Sequence, residues 1–145
     1  MQWQSSSPPG LLLAVALALP PLAGCMDSLP SAPSELTEGI IVYEDANYQG
    51  SWVEITDDVS DLADLSGPCQ GIQILPEIEL VSDWDDCISS VRVAPGWKAI
   101  LYRGNSYRDD ALEITSDMAD LVKVPHDCPE GGLNDCVTSI DVIRQ

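Results

Sequence analysis

Basic residues are scarce: 6 Lys and Arg stand against 24 Asp and Glu in 145 residues, a formal charge of −18. This argues against a nucleic-acid partner, since binding a polyanion relies on neutralising its phosphates. A field of this sign gathers cations instead. Acids in such number also serve as a solvated face, so charge alone does not make a metal site. Histidine occurs once, as His126 in the Pro-flanked stretch VPHDCP. No nucleophile motif accompanies it, and the acidic pairs are neighbours in sequence instead of being poised across a cleft, which speaks against catalysis. The cysteines lack CxxC spacing, so with a single His a zinc site is short of ligands. No uncharged apolar run reaches the roughly 18 residues that a membrane-spanning helix needs, and no long stretch shows helical periodicity.

The uncharged stretch that does exist, GLLLAVALALPPLA at residues 10–23, is interrupted by Pro20 and Pro21 and reads as the apolar part of an export signal. Its last two residues open Leu22-Ala23-Gly24-Cys25, which resembles the lipobox of bacterial lipoproteins. That resemblance implies a signal peptide over 1–24, a mature chain beginning at a lipidated Cys25, and retention at a membrane of the bacterial cell envelope. One departure is that MQWQSSSPP carries no Lys or Arg, where export signals have a positive segment. An ordinary secreted protein is the alternative. Residues 26–38, MDSLPSAPSELTE, are rich in Ser, Pro and acid without apolar periodicity, so 25–38 is expected to be a lipidated Cys and flexible tether.

An internal repeat organises the remainder. Tyr43-Glu44-Asp45-Ala46-Asn47-Tyr48 through Glu54-Ile55-Thr56 is echoed by Tyr102-Arg103-Gly104-Asn105-Ser106-Tyr107 through Glu113-Ile114-Thr115, and Cys69 meets Cys128 at the same offset. Both units close alike, on Asp85-Asp86-Cys87-Ile88-Ser89-Ser90 and on Asn134-Asp135-Cys136-Val137-Thr138-Ser139, each followed by an apolar run. The first unit is longer, by residues around GIQILPEIEL (71–80). Short alternating runs such as Ile40 to Tyr43 and Val91 to Val93, separated by Gly, Asn, Asp and Pro, predict strands, about four per repeat and about eight in all. DDVSDLADL has room for one short helical turn. Two such units bury their apolar faces against each other, giving one all-β two-sheet sandwich over 39–145, with repeat one at 39–94 and repeat two at 97–145.

With Cys25 committed to a lipid, four cysteines remain and three pairings are open. Because the repeat copies both members of a set, it favours Cys69 with Cys87 and Cys128 with Cys136. Symmetric bridges between repeats are the alternative. Disulfides persist in an exported protein.

Two motifs, in the same order in both units, resemble the βγ-crystallins and most closely their microbial calcium-binding branch. One is the aromatic hairpin Tyr43-x4-Tyr48-x-Gly50. The other is the six-residue pattern DDCISS, repeated as NDCVTS, in which two Asn or Asp precede any two residues, Ser or Thr, and Ser. The resemblance covers 39–145 and implies two Greek-key motifs with two calcium sites at one edge. Calcium collects about six to eight oxygens, and each pattern supplies carboxylate or amide oxygens, a hydroxyl and a carbonyl. By the resemblance, one site uses Asp135, the Cys136 carbonyl and Thr138 with the first hairpin near Ala46. The other uses Asp86, the Cys87 carbonyl and Ser89 with the second hairpin near Asn105. Asp85 and Asn134 brace the loops. The second hairpin departs from the family by carrying Asp109 where Gly is expected, in a conformation with positive φ. An EF-hand fails, since a loop starting at Asp83 places Ile88 where Gly is needed and Ala94 where Glu is needed.

The competing reading is a disulfide-bonded binding protein, inhibitor-like, that uses the sandwich as a scaffold. Its candidate surface is the insertion with Ile72, Ile74, Leu75, Ile78 and Leu80, for which burial as an extra strand is the expectation. Trp52, Trp84 and Trp97 are expected in the core or at corners.

Overall fold

The computed structural model describes residues 31–74, 78–125, 128 and 131–145. The signal segment, Cys25, Leu75 and His126 lie outside the described residues, as do the side chains of Ile72, Ile74 and Ile78. The fold is all-β. Strands run in chain order as β1 (Ile40–Asp45), β2 (Gln49–Ile55), β3 (Ser66–Ile74), β4 (Ile78–Asp83), β5 (Ser90–Val93), β6 (Trp97–Gly104), β7 (Arg108–Ile114) and β8 (Ser139–Arg144). Two antiparallel sheets, β2-β1-β5 and β7-β6-β8, correspond to the two repeats. Between them, Trp97 N–H donates to the Ala94 carbonyl at 3.0 Å, and Gly96 supplies the positive φ of 78° that turns the chain.

Each sheet completes itself with a piece of the other repeat. Val59 bridges to Ile140 and Met118 to Val91, each through a reciprocal pair of backbone hydrogen bonds of 2.8 and 2.9 Å. Beside each bridge an aspartate caps the same edge: Asp58 Oδ1 accepts from Val142 N–H at 2.8 Å and Asp117 Oδ1 from Val93 N–H at 2.9 Å. This crossing makes a Greek key of each repeat and joins the two into one sandwich. The expected short turn after Val59 is the 3-10 turn Leu62–Asp64, capped by Asp61. Its copy is Leu121–Lys123, capped by Asp120. Leu62 and Leu121 are fully buried in the common core with Ile40, Val42, Leu101 and Ile140.

The expectation of four strands per repeat is met differently from the pattern. Three strands are regular in each unit, the fourth is reduced to a bridge, and the insertion supplies β3 and β4 as a separate two-stranded ribbon. Burial of the insertion does not hold at Leu80, which is 75% exposed. A ribbon paired only with itself has two faces, and only one can lie against the domain. The Cys69–Cys87 disulfide fastens this ribbon to the loop before β5, and Cys128–Cys136 closes the corresponding loop of the second repeat.

A second correction concerns the tether. Its last part, 31–38, is docked on the outer face of the first sheet: Leu36 is buried with Ile41, Tyr43 and Ala94, and Ala32 packs against them. Arg92 donates to the Pro33 and Ser34 carbonyls at 2.8 and 3.3 Å. Consequently β1 is buried on both faces through Tyr43, whereas in β6 only Ala99 and Leu101 are fully buried.

Candidate metal centre

The six-residue loops face each other across the pseudo-twofold axis of the sandwich. Asp86 N–H donates to the Val137 carbonyl at 3.2 Å, and Asp135 N–H to the Ile88 carbonyl at 3.3 Å. Asp86 and Asp135, the second residue of each pattern, take left-handed φ values of 49° and 48°. Asp tolerates that region better than most side chains, and the conformation sends the chain sharply into the following strand.

The structure brings together a different set of partners from the one the resemblance implied. Ser89 N–H donates to the Tyr43 carbonyl at 3.0 Å, and Ser89 Oγ donates to Asp135 Oδ1 at 3.3 Å. One cleft is lined by Glu44, Asp45, Asp86, the Cys87 loop, Ser89 and Asp135. Thr138 N–H donates to the Tyr102 carbonyl at 2.8 Å, and its side chain lies beside the Asp85 carboxylate, whose pKa it lowers. Asn105 donates to Asp61 Oδ2 at 3.4 Å, beside which Leu62 N–H reaches the Thr138 carbonyl at 2.8 Å. Each hydroxyl therefore stays with the hairpin of its own repeat, and the acid comes from the other repeat. The reason is register: Ser90 pairs with Tyr43 and Ser139 with Tyr102, so the residue before each must lie at the end of the same sheet.

Of the two residues expected to brace the loops, Asn134 donates its side-chain amide to Asp135 Oδ2 at 2.6 Å. Asp85, in the equivalent place, has no proton to give. Its Oδ1 is buried without a hydrogen-bond partner, and burial, opposed by the Thr138 side chain, raises its pKa. Asp86 is pushed up to about 6 by desolvation and then by the charges of Asp85, Asp135 and Asp83. Among the described residues no three His, Cys, Asp or Glu converge into a metal cluster by side chains alone. A cation here would draw on hydroxyls and carbonyls as well, a donor set that suits a hard ion.

The hairpins have the same backbone. Asn47 and Tyr48 have φ of 59° and 62°, Ser106 and Tyr107 of 55° and 58°, and Gly50 and Asp109 of 76° and 64°. Asp109 thus adopts the conformation of the glycine it replaces. An exchange within the turn accommodates it: a Cβ on Gly50 would lie 2.7 Å from Asp45 Oδ2, and one on Gly104 would lie 2.4 Å from Asp109 Oδ2. Asp and Gly have traded places between the repeats, one side chain filling the space in either case. What distinguishes the hairpins is charge, since Glu44 and Asp45 in the first correspond to Arg103 and Gly104 in the second.

Sequence reasoning assigned no task to the closing Ser of each pattern. Ser90 Oγ accepts from Tyr48 N–H at 3.0 Å and donates to the Asp45 carbonyl at 2.7 Å. Ser139 does the same for Tyr107 and Gly104 at 3.1 and 2.6 Å. Both are fully buried and hold the left-handed turns in place. The signal was visible, because this Ser is identical in the two copies.

No family model matches the chain, and no curated protein matches it. Solved structures do. A structure from work on the evolution of the eye lens βγ-crystallin domain fold superposes with a TM-score of 0.60 at 21% identity, covering 79% of this chain and 94% of that one. The N-terminal domain of protein S has a TM-score of 0.51 at 27% identity, covering 73% and 96%. A βγ-crystallin domain from Flavobacterium johnsoniae has a TM-score of 0.51 at 31% identity, covering 73% of this chain and 94% of that domain. Paired Greek keys, the two aromatic hairpins with their serine latches, and this last level of identity lead to one conclusion: the chain belongs to the βγ-crystallin family.

Proposed function

We propose that this is an exported domain, tethered to a membrane through a lipid on Cys25, that binds two calcium ions in a structural or calcium-sequestering role. The observation that carries the metal reading is the carboxylate imbalance between the facing loops. Asp85 has a buried oxygen without a partner, and the pKa of the solvent-exposed Asp86 is pushed up to about 6 by partial desolvation and by its acidic neighbours. A buried, unpartnered oxygen is costly unless something satisfies it. A divalent cation supplies the missing charge and accepts oxygen donors at flexible geometry. The first site takes Ser89, Asp135, Asp86 and carbonyls near Ala46 and Cys87. The second takes Thr138, Asp85 and carbonyls near Asn105 and Cys136.

A ligand that binds only the folded state adds about 2.7 kcal/mol per site at 100 times its dissociation constant. Melting of the full chain in chelator and in millimolar calcium should therefore differ by several degrees, and identical melting temperatures would refute calcium binding. For the anchor, detergent-phase partitioning is expected for the wild type and lost in Cys25→Ser; equal recovery in the aqueous phase refutes it. The scaffold reading has one observation in its favour, the exposed Leu80 on a disulfide-fastened ribbon. It gains if calcium leaves the melting temperature unchanged.

A further inference from the structure

The two hairpins offer an internal comparison, because among the described residues only one of them is strapped. Residues 31–38 cross the outer face of the first sheet, and their beginning reaches the hairpin itself: Ser31 and Ala32 share a crevice with Tyr43, Tyr48, Gln49 and Trp52. Tyr43 and Tyr48 meet edge to face with ring centroids 5.6 Å apart. Leu36 and Ala32 cover this pair together with Trp52, which stands opposite Tyr43 in the β1–β2 register. In the second repeat Tyr102 and Tyr107 meet in the same way at 5.7 Å. There Ala111 stands where Trp52 does, and Tyr107 is 37% exposed. The clamp is equally one-sided. Arg92 holds the strap by its carbonyls, while the matching residue of repeat two is Asp141, which accepts from Tyr102 Oη at 2.9 Å.

We propose that the 31–38 strap is a positioning element for the first calcium site, with Leu36 and Arg92 as its positioning residues, so that strap docking and calcium binding at that site strengthen each other while the second site is indifferent to both. This rests on the calcium reading above. The physical link is the turn. Asn47 and Tyr48 are consecutive non-glycine residues in left-handed backbone, a conformation with an intrinsic cost. The carbonyls that serve calcium belong to this turn, so its ordering is part of the cost of binding. A strap packed on Tyr43 and Tyr48 favours the ordered turn before any ion arrives. By linkage, an ion that orders the turn must favour the docked strap by the same factor. Gly39, at the foot of the strap, fixes it in place. Its φ is 64°, a Cβ there would lie 2.3 Å from the Ile55 carbonyl oxygen, and its own carbonyl accepts from Ala94 N–H at 3.0 Å.

The test is calorimetric titration of the full chain with calcium in two backgrounds, Thr138→Arg, which leaves the first site, and Ser89→Arg, which leaves the second. Leu36→Asp, and independently Arg92→Met, should weaken binding about fivefold or more in the first background and leave it unchanged in the second. Leu36→Met should restore it. Conversely, calcium should slow cleavage after Glu35 by a glutamate-specific protease in wild type. Equal weakening in both backgrounds would reduce the strap to general stability and overturn the proposal, as would no weakening in either. Calcium heat with unchanged affinities overturns the coupling alone. Absence of calcium heat in the unaltered chain overturns the calcium reading and the coupling together.

Discussion

At the scale of single residues, the difference between Asp85 and Asn134 decides the electrostatics of the centre. An amide at this position donates to its neighbour, whereas a carboxylate adds a like charge beside Asp86. The pKa of Asp86, about 6 in the fold against 3.8 for the free side chain, means that the folded state holds the proton more tightly than the unfolded one. The contribution of Asp86 to the stability of the metal-free domain therefore grows as pH falls from about 6 towards about 4 and is lost again as pH rises through that window. Asp86→Asn should flatten this dependence and raise the metal-free melting temperature at pH 7. Asp86 is solvent-exposed, so screening limits the gain to about 1 kcal/mol at most. The same variant should weaken calcium binding. Thermal melts in chelator between pH 4 and 7.5 check this, and a wild-type window persisting in the variant would contradict it. The hydroxyls give a second prediction. Ser89→Arg places a cation in the cleft with Glu44, Asp45 and Asp135 and should remove the site at the first hairpin; Thr138→Arg should remove the site at the second. We expect Ser89→Arg to cost more of the calcium-induced shift in melting temperature. The first hairpin carries Glu44 and Asp45, whereas the second carries Arg103, a cation, in the place of Glu44.

At the scale of elements, the sequence was readable wherever a pattern was copied. The repeats located the hairpins, the strands around them and the two loops, because each has local spacing that survives duplication. Val59 and Met118 were not readable as strands, since each joins its sheet through a single bridge and no alternation surrounds it. The strap was missed for a similar reason: Leu36 is one apolar residue in a Ser, Pro and acid stretch, and its burial depends on Arg92, far along the chain. Assignment of the hydroxyls to their hairpins was set by register between distant strands, which loop motifs do not record. The disulfides belong to this scale as well. Cys69–Cys87 spans a sequence separation of 18 and Cys128–Cys136 one of 8. On the chain-entropy model, the longer closure contributes about 3 kcal/mol and the shorter somewhat less. Cys87 and Cys136 lie inside the six-residue loops, so on the proposed calcium reading the bridges also narrow the freedom those loops would lose on binding. Reduction should lower the melting temperature and weaken calcium binding. Titrating reduced, alkylated protein below its melting point tests this, and an unchanged affinity would show that the loops are ordered without their bridges.

At the scale of the whole molecule, the charge of −18 opposes compaction everywhere, and any cation relieves part of that repulsion. A rise in melting temperature with calcium would therefore be ambiguous if measured at low salt alone. The two causes separate with ionic strength. Screening by monovalent salt acts on exposed charges and is largely complete once the Debye length falls to about 3 Å near 1 M. A site made of buried oxygens, such as Asp85 Oδ1, is screened much less. Sodium chloride should raise the melting temperature of the metal-free chain and then level off, and millimolar calcium added on that plateau should raise it further, saturating with concentration. Ser89→Arg combined with Thr138→Arg should keep the sodium chloride response and lose the calcium increment. A calcium effect that vanishes on the plateau would assign the whole response to the acidic surface, leaving the facing loops as the latch between two Greek keys and nothing more.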